Sequence, residues 1–237
     1  DAREAQDGWA SRSAFNRGQI LYRIGEMLES RRAAFADELV DVAGYDENEA
    51  EAELDVAIDR LLWYAGWSDK FAQVFGSVNP VASSHFDFSV PEPTGVVAAF
   101  CPENVPVLGL VSCLAPIIVT GNAVILIVDN EAPTLALDFA EVLDTSDVPG
   151  GVVNILTGQR DELRDHVGGH RDVDAILSVG ASTEERTILE REGAESVTRL
   201  EFWDDRPAAA WRADESQSPY QMTPFVEFKT TWHPVGR

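Results

Sequence analysis

The chain has 237 residues, 45% of them apolar, with 17 glycines and 12 prolines, which is enough for one large domain or two small ones around a sizeable core. Its 41 acidic residues against 18 basic ones give a formal charge of −23, which excludes nucleic acid and anionic lipid as partners, because phosphate contacts need clustered Lys and Arg. The two cysteines, Cys101 and Cys113, make neither a disulfide framework nor a zinc-type spacing.

No signal peptide is read at the start of the sequence. The longest apolar stretch, 105 to 119, is broken by Pro106 and Pro116 and is too short to span a bilayer. A cytoplasmic protein without membrane contact is expected.

The first 75 residues read as helices, with Ile20, Leu21, Ile24, Met27 and Leu28 at helical spacing and Leu54, Ile58, Leu61, Leu62 and Ala65 repeating it. Between them Gly44 is a stop, and Asp46 with Glu49 three residues on is a capping-box start. From His85 the period changes to two, and "PEPTG" turns the chain into "VVAAF", a hairpin-like excursion.

After it, β-rich apolar runs ("VVAAFC", "AVILIV", "VVNIL", "VDAIL", "SVTRLEF") alternate with helical segments near 104–118, 133, 161 and 183. That order predicts right-handed crossovers and an α/β fold, a doubly wound, Rossmann-like parallel sheet of about five strands. Ligands of such a sheet bind beyond the carboxyl ends of the strands.

Residues 208–218, rich in Ala, Ser, Pro and acid, read as a connector. Residues 219–237 carry one terminal strand, with Phe225, Glu227 and Lys229 on one face and Val226, Phe228 and Thr230 on the other. The expected division is an N-terminal helical part (1–83), an arm hairpin (84–100), a Rossmann-like domain (101–207), the connector, and the terminal strand. A lone strand needs a sheet edge, which can belong to another subunit.

With this order in place, "ILYRIGEMLESR", "AIDRLLWYAGWSDK", "PTGVVAAFCPENVPVLGL", "TGNAVILIVDNEAPTLALDFAEVL", "VPGGVVNILTG" and "HRDVDAILSVGAS" together resemble the NAD(P)-dependent aldehyde dehydrogenase superfamily. The terminal "FVEFKTTWHPVG" is similar to the family's final strand, part of its oligomerisation arm. The resemblance implies a cofactor-type domain, an arm hairpin and a last strand without the large catalytic domain, and in lacking the cysteine the chain is similar to the silent second half of family-16 aldehyde dehydrogenases.

The departures from the family pattern point to lost chemistry. The family's cysteine nucleophile belongs to the absent domain, and Cys101 lies at a strand end before "PENVP", where a small buried hydrophobe is expected. Asn104 matches the family's oxyanion-donating asparagine, and Glu201 matches its general-base glutamate, but Trp203 and Asp204 replace the glycines of the family's Glu-Leu-Gly-Gly. Both are read as vestigial, because a donor and a base without a nucleophile cannot do acyl chemistry.

In the cofactor loop, Ile127 and Asn130 stand where the family grips ribose hydroxyls with lysine and glutamate. Gly158, Gly180 and Ser182 remain, but Glu185 replaces the glycine that opens the helix near the pyrophosphate. A degenerate site is therefore expected, with no cofactor held, or NAD(P) only weakly.

No metal is expected. His166 and His170 are four apart, yet Gly168 and Gly169 end the helix between them and no third ligand is indicated. Trp63 and Trp67 read as packing residues.

The function that follows is a non-catalytic subunit, a pseudoenzyme whose partner is a catalytic aldehyde dehydrogenase or its own copy. Phe86, Phe88, Phe225, Phe228 and Trp232 would form the interface. The alternatives are a nucleotide- or metabolite-binding regulatory module and a residually active aldehyde oxidoreductase using Cys101 or Glu201.

Overall fold

The computed structural model describes residues 1–128 and 133–236. Five helices open the chain: α1 (Ala2–Ala10), α2 (Ala14–Ser30), α3 (Arg32–Ala43), α4 (Glu47–Trp67) and α5 (Phe71–Phe75). The signals at the α3–α4 junction act as expected. Gly44 ends α3 in the left-handed region at φ 72°, and Asp46 and Glu49 form a reciprocal capping box at the start of α4.

Then come β1 (Ser77–Asn79), β2 (His85–Pro93), β3 (Val96–Phe100), α6 (Pro106–Val119), β4 (Ala123–Val128), α7 (Pro133–Asp144), β5 (Val153–Thr157), α8 (Arg160–Gly168), β6 (Ala175–Val179), α9 (Thr183–Gly193) and β7 (Arg199–Trp203). Strands β3 to β7 form one parallel sheet in the order β5-β4-β3-β6-β7, the doubly wound arrangement. Alternation along β3 divides the core. Val97 and Ala99 face α6, α7 and the N-terminal helices, while Ala98 and Phe100 face α8 and α9. Helix α6 is almost wholly buried, as its largely apolar sequence requires.

The expected hairpin over 84–100 is not one unit. β2 pairs antiparallel with β1 and with the terminal strand β8 (Val226–Pro234), whereas β3 belongs to the parallel sheet. Gly95, at φ 138°, lets the chain pass from one sheet to the other.

The stretch read as a connector is packed. It contains α10 (Ala208–Arg212), whose Trp211 is fully buried, and 3-10 turns at Asp214–Ser216 and Pro219–Phe225. The buried Arg60 guanidinium fixes it, donating from Nη2 to the Trp211 carbonyl at 2.7 Å and from Nη1 to Ser112 Oγ at 2.6 Å.

Phe225 is also fully buried, in the main core, and so leaves the set of interface residues. The alternation read from sequence begins one residue later, at Val226, because Phe225 closes a 3-10 turn. Its carbonyl accepts from Thr94 N at 3.1 Å and from Asn122 Nδ2 at 2.8 Å. Asn122 also accepts from Gly95 N at 2.8 Å and donates to Thr120 Oγ1 at 2.8 Å. One buried amide thus joins the entry to β3, the entry to β4 and the terminal segment.

Candidate functional site

The strand order reverses between β3 and β6, so a ligand crevice belongs beyond their carboxyl ends, between α8 and α9. The sequence assembles α9 with an anion-ready start. Gly180 takes φ 70°, and Ser182 caps the helix, its Oγ accepting from Glu185 N at 3.1 Å.

The space in front of that helix is filled from within. Glu185, 4% exposed, turns its carboxylate inward, where Oε1 accepts from Ser178 Oγ at 2.8 Å and from Arg160 Nε at 2.9 Å. Arg160 Nη2 donates to Ser178 Oγ and to the Val179 carbonyl, each at 2.6 Å. The guanidinium lies 5.1 Å over the Phe100 ring. Arg164 extends the link between the two helices to Glu184 at 3.8 Å.

Ile127 is buried in the same cluster, with Ala98, Phe100, Val173, Ile176 and Leu189. Burying that side chain contributes about 2 kcal/mol of transfer free energy. The hollow left between Phe100, Cys101, Glu103, Ile127, Gly158 and Arg160 is about 10 Å³. That is about the least that holds one water, roughly 10 to 15 Å³.

Of the expected site residues, Ile127, Gly158, Gly180, Ser182 and Glu185 thus gather around one crevice. Asn130 lies outside the described residues. Arg160 was not anticipated from the sequence, because its partners Glu185 and Ser178 are 25 and 18 residues away.

Asn104 and Glu201 are engaged separately. Asn104 Nδ2 donates to the Arg206 carbonyl at 2.6 Å, so the amide matched to an oxyanion donor holds the chain leading into α10. Glu201, half-buried on β7, accepts from Trp203 Nε1 at 3.0 Å, and burial raises its pKa. Both cysteines are buried, and a hydrogen bond with Cys101 together with burial pushes the Cys113 thiol up. Among the described residues no three His, Cys, Asp or Glu side chains are grouped to hold a metal ion, and no helix is long and apolar enough to cross a membrane.

A larger hollow, about 550 Å³, opens on the other face of the sheet, lined by Tyr45, Asn104, Pro106, Leu110, Val128 and Leu135 among others. Beside it the buried Glu53 carboxylate caps α6, its Oε1 accepting from Val107 N at 2.9 Å and Leu108 N at 3.1 Å. Burial raises the pKa of Glu53 and outweighs Arg212, whose guanidinium stands 3.9 Å away. The Tyr45 hydroxyl lies 2.7 Å from Glu53 Oε2 and 2.9 Å from the Asn104 carbonyl oxygen.

Residues 1–202 match the model of the aldehyde dehydrogenase family. This chain belongs to that family.

Among curated aldehyde dehydrogenases it is 30% identical, over 215 residues, to the D-glyceraldehyde dehydrogenase (NADP(+)) of Thermoplasma acidophilum, covering 89% of this chain and 43% of that one. It is 30% identical over 193 residues to the mitochondrial aldehyde dehydrogenase of Homo sapiens, covering 81% and 37%. The betaine aldehyde dehydrogenase of Staphylococcus aureus, solved in complex with NAD+, superposes with a TM-score of 0.78 at 25% identity, covering 85% of this chain and 40% of that one. The chain therefore spans less than half the length of these aldehyde dehydrogenases.

Proposed function

We propose that this aldehyde dehydrogenase family chain acts as a non-catalytic subunit, assembling with a catalytic NAD-dependent aldehyde dehydrogenase that it stabilises or regulates. The observation that carries this reading is the Arg160–Glu185–Ser178 cluster in the crevice at the start of α9. A pyrophosphate there would have to displace a buried carboxylate that already has two donors and that repels it. The residues present do not fit the dinucleotide found in the Staphylococcus aureus relative. Asn104 and Glu201, each held by other partners, leave no paired donor and base for acyl chemistry.

The assembly surface is the three-stranded arm β1-β2-β8, with Phe86 and Phe228 each 48% exposed and Trp232 57% exposed. Phe88, half-buried, stacks 5.5 Å from Phe86. Exposed aromatic residues on a sheet with a free edge suit β-strand addition.

Co-expression of the tagged chain with a full-length catalytic aldehyde dehydrogenase, followed by light scattering, tests the reading. A stable complex is expected, with no heat on titrating the chain alone with NAD+ or NADP+. Saturable dinucleotide binding together with aldehyde oxidation by the chain alone would falsify it.

A second reading, a regulatory metabolite site, draws on the hollow beside Asn104, whose volume of about 550 Å³ suits a small molecule. Heat on titration with AMP or an acyl-CoA, lost on Leu135→Trp, would favour it.

A further inference from the structure

We propose that Cys101 and Cys113 form a redox-active pair, in which hydrogen peroxide converts the two thiols into a disulfide that ties the end of β3 to α6. The inference is independent of the assembly role and uses two side chains to which that role gives no task.

The backbone brings the pair together. Cys101 N donates to the Ile127 carbonyl at 3.0 Å, so the parallel ladder runs one residue past β3 and its alternation continues. Cys101 therefore follows Val97 and Ala99 onto the α6 face of the sheet, and all three lie in the main core with Cys113. As the crossover helix between β3 and β4, α6 runs back along that face. It also presses on the segment that leads into it. A Cβ on Gly109 would stand 2.6 Å from Pro102 Cγ and 3.2 Å from the Pro102 carbonyl oxygen, so the approach depends on a residue without a side chain. Cys113 lies one turn further along the same side of α6, opposite the residue before Pro102. The two thiols are hydrogen-bonded there.

Bond formation draws the sulfurs closer, and the helix can give at that point. Pro116 has no N–H to bind the Ser112 carbonyl, so the turn of α6 that carries Cys113 lacks one of its closing hydrogen bonds. Access is one-sided. Cys101 borders the small hollow that reaches the exposed Glu103, whereas Cys113 is wholly enclosed. A solitary buried cysteine is inert, but this one meets a second thiol at its inner side and the hollow at its outer side.

The chemistry follows from that asymmetry. The Cys101 sulfur, as thiolate, attacks one oxygen of hydrogen peroxide; the O–O bond breaks, Cys101 becomes a sulfenic acid, and the departing hydroxide takes up the thiol proton as water. The Cys113 sulfur then gives up its proton and attacks the Cys101 sulfur, the S–O bond breaks, and a second water leaves as the S–S bond forms. Two thiols and one peroxide thus yield one disulfide and two waters. The product fixes the loop of Asn104, which holds the Arg206 carbonyl, against α6.

The test exposes the folded full-length chain to hydrogen peroxide, removes the oxidant with catalase, and alkylates in urea with iodoacetamide. The wild type should lose the mass of two hydrogens and take up no label. Peptic digestion, which cuts between the cysteines at Leu108 or Leu110, should release a cross-linked peptide, and dithiothreitol should restore two labelled thiols. The urea midpoint should rise on oxidation and return on reduction, because the cross-link restricts the unfolded chain. Under the same exposure, Cys113→Ser should stop at a Cys101 sulfenic acid that dimedone captures after unfolding, and Cys101→Ser should keep a free Cys113 thiol. Circular dichroism confirms that each variant is folded, and the wild-type result stands without them. Two thiols still labelled after peroxide, oxidation of Cys101 to sulfinic acid without a cross-link, or a disulfide between separate chains overturns the proposal.

Discussion

The Glu185 carboxylate and the Arg160 guanidinium meet at 2.9 Å with side-chain exposures of 5% and 18%, across the gap between α9 and α8. Glu185 stands in the first turn of α9, where a carboxylate also complements the helix dipole. Removing one partner strands the other charge in a nearly dry site. Glu185→Ala is therefore expected to cost about 3 kcal/mol in urea unfolding. The double variant Arg160→Met/Glu185→Leu should recover more than half of that loss, because no charge is left alone. Losses that simply add would show that the two residues are not coupled.

The Tyr45 hydroxyl has one proton and two acceptors, Glu53 Oε2 and the Asn104 carbonyl. Burial shifts the Glu53 carboxyl upward, with the Tyr45 hydrogen bond opposing it. For a carboxyl raised in the native state, the linked stability is complete below the unfolded value of about 4.3 and is lost as pH rises through the native value. Wild-type stability should therefore fall across that window, with Glu38 and Glu201 adding slopes of the same sign. Glu53→Gln should flatten the Glu53 part of the slope in urea midpoints measured against pH. Glu53→Leu should cost about 2 to 3 kcal/mol at every pH, since the Val107 and Leu108 N–H groups lose their acceptor. Parallel pH profiles for wild type and Glu53→Gln would contradict the assignment.

Asn122 is fully buried and fully bonded. Asn122→Ala should cost about 3 kcal/mol, with several buried groups left unpaired. The loss should be local first. Hydrogen exchange at Thr94 and in β8 is expected to speed up before exchange in β3 or β4, and uniform acceleration across both sheets would argue against Asn122 as the clasp of the terminal segment.

Trp211→Ala should cost about 3 to 5 kcal/mol, the range for a large aromatic residue lost from a core. It should also make the chain around Pro207 and Ser218 more susceptible to limited proteolysis than in the wild type. Equal cleavage of both proteins would show that the segment is held by other contacts.

What the sequence made legible was local. The stop at Gly44, the capping box at Asp46 and the strand-helix alternation all depend on residues within a few positions of each other, and all appear as expected. The resemblance implied an arm that unites the segment after His85 with the terminal strand, but the register was not legible, since the pairing of Ser89 with Thr230 spans 141 residues and leaves no mark on either strand alone. Trp211 looked like part of an Ala- and Pro-rich connector because its burial is created by Arg60 and α6, not by its neighbours in sequence. At the candidate site, the change at Glu185 was readable as a loss of room for phosphate. That the same carboxylate would find a cation and close the crevice required Arg160 to arrive from another helix.

The long separation between β2 and β8 has a consequence for biosynthesis. As the chain leaves the ribosome, β2 emerges with β1 as its only strand neighbour, and the parallel sheet can form while the third strand of the arm is still untranslated. The arm is therefore completed only after every strand of the parallel sheet has been translated. Its outer strand becomes available to another subunit only then, so association through it favours chains whose sheet is already folded.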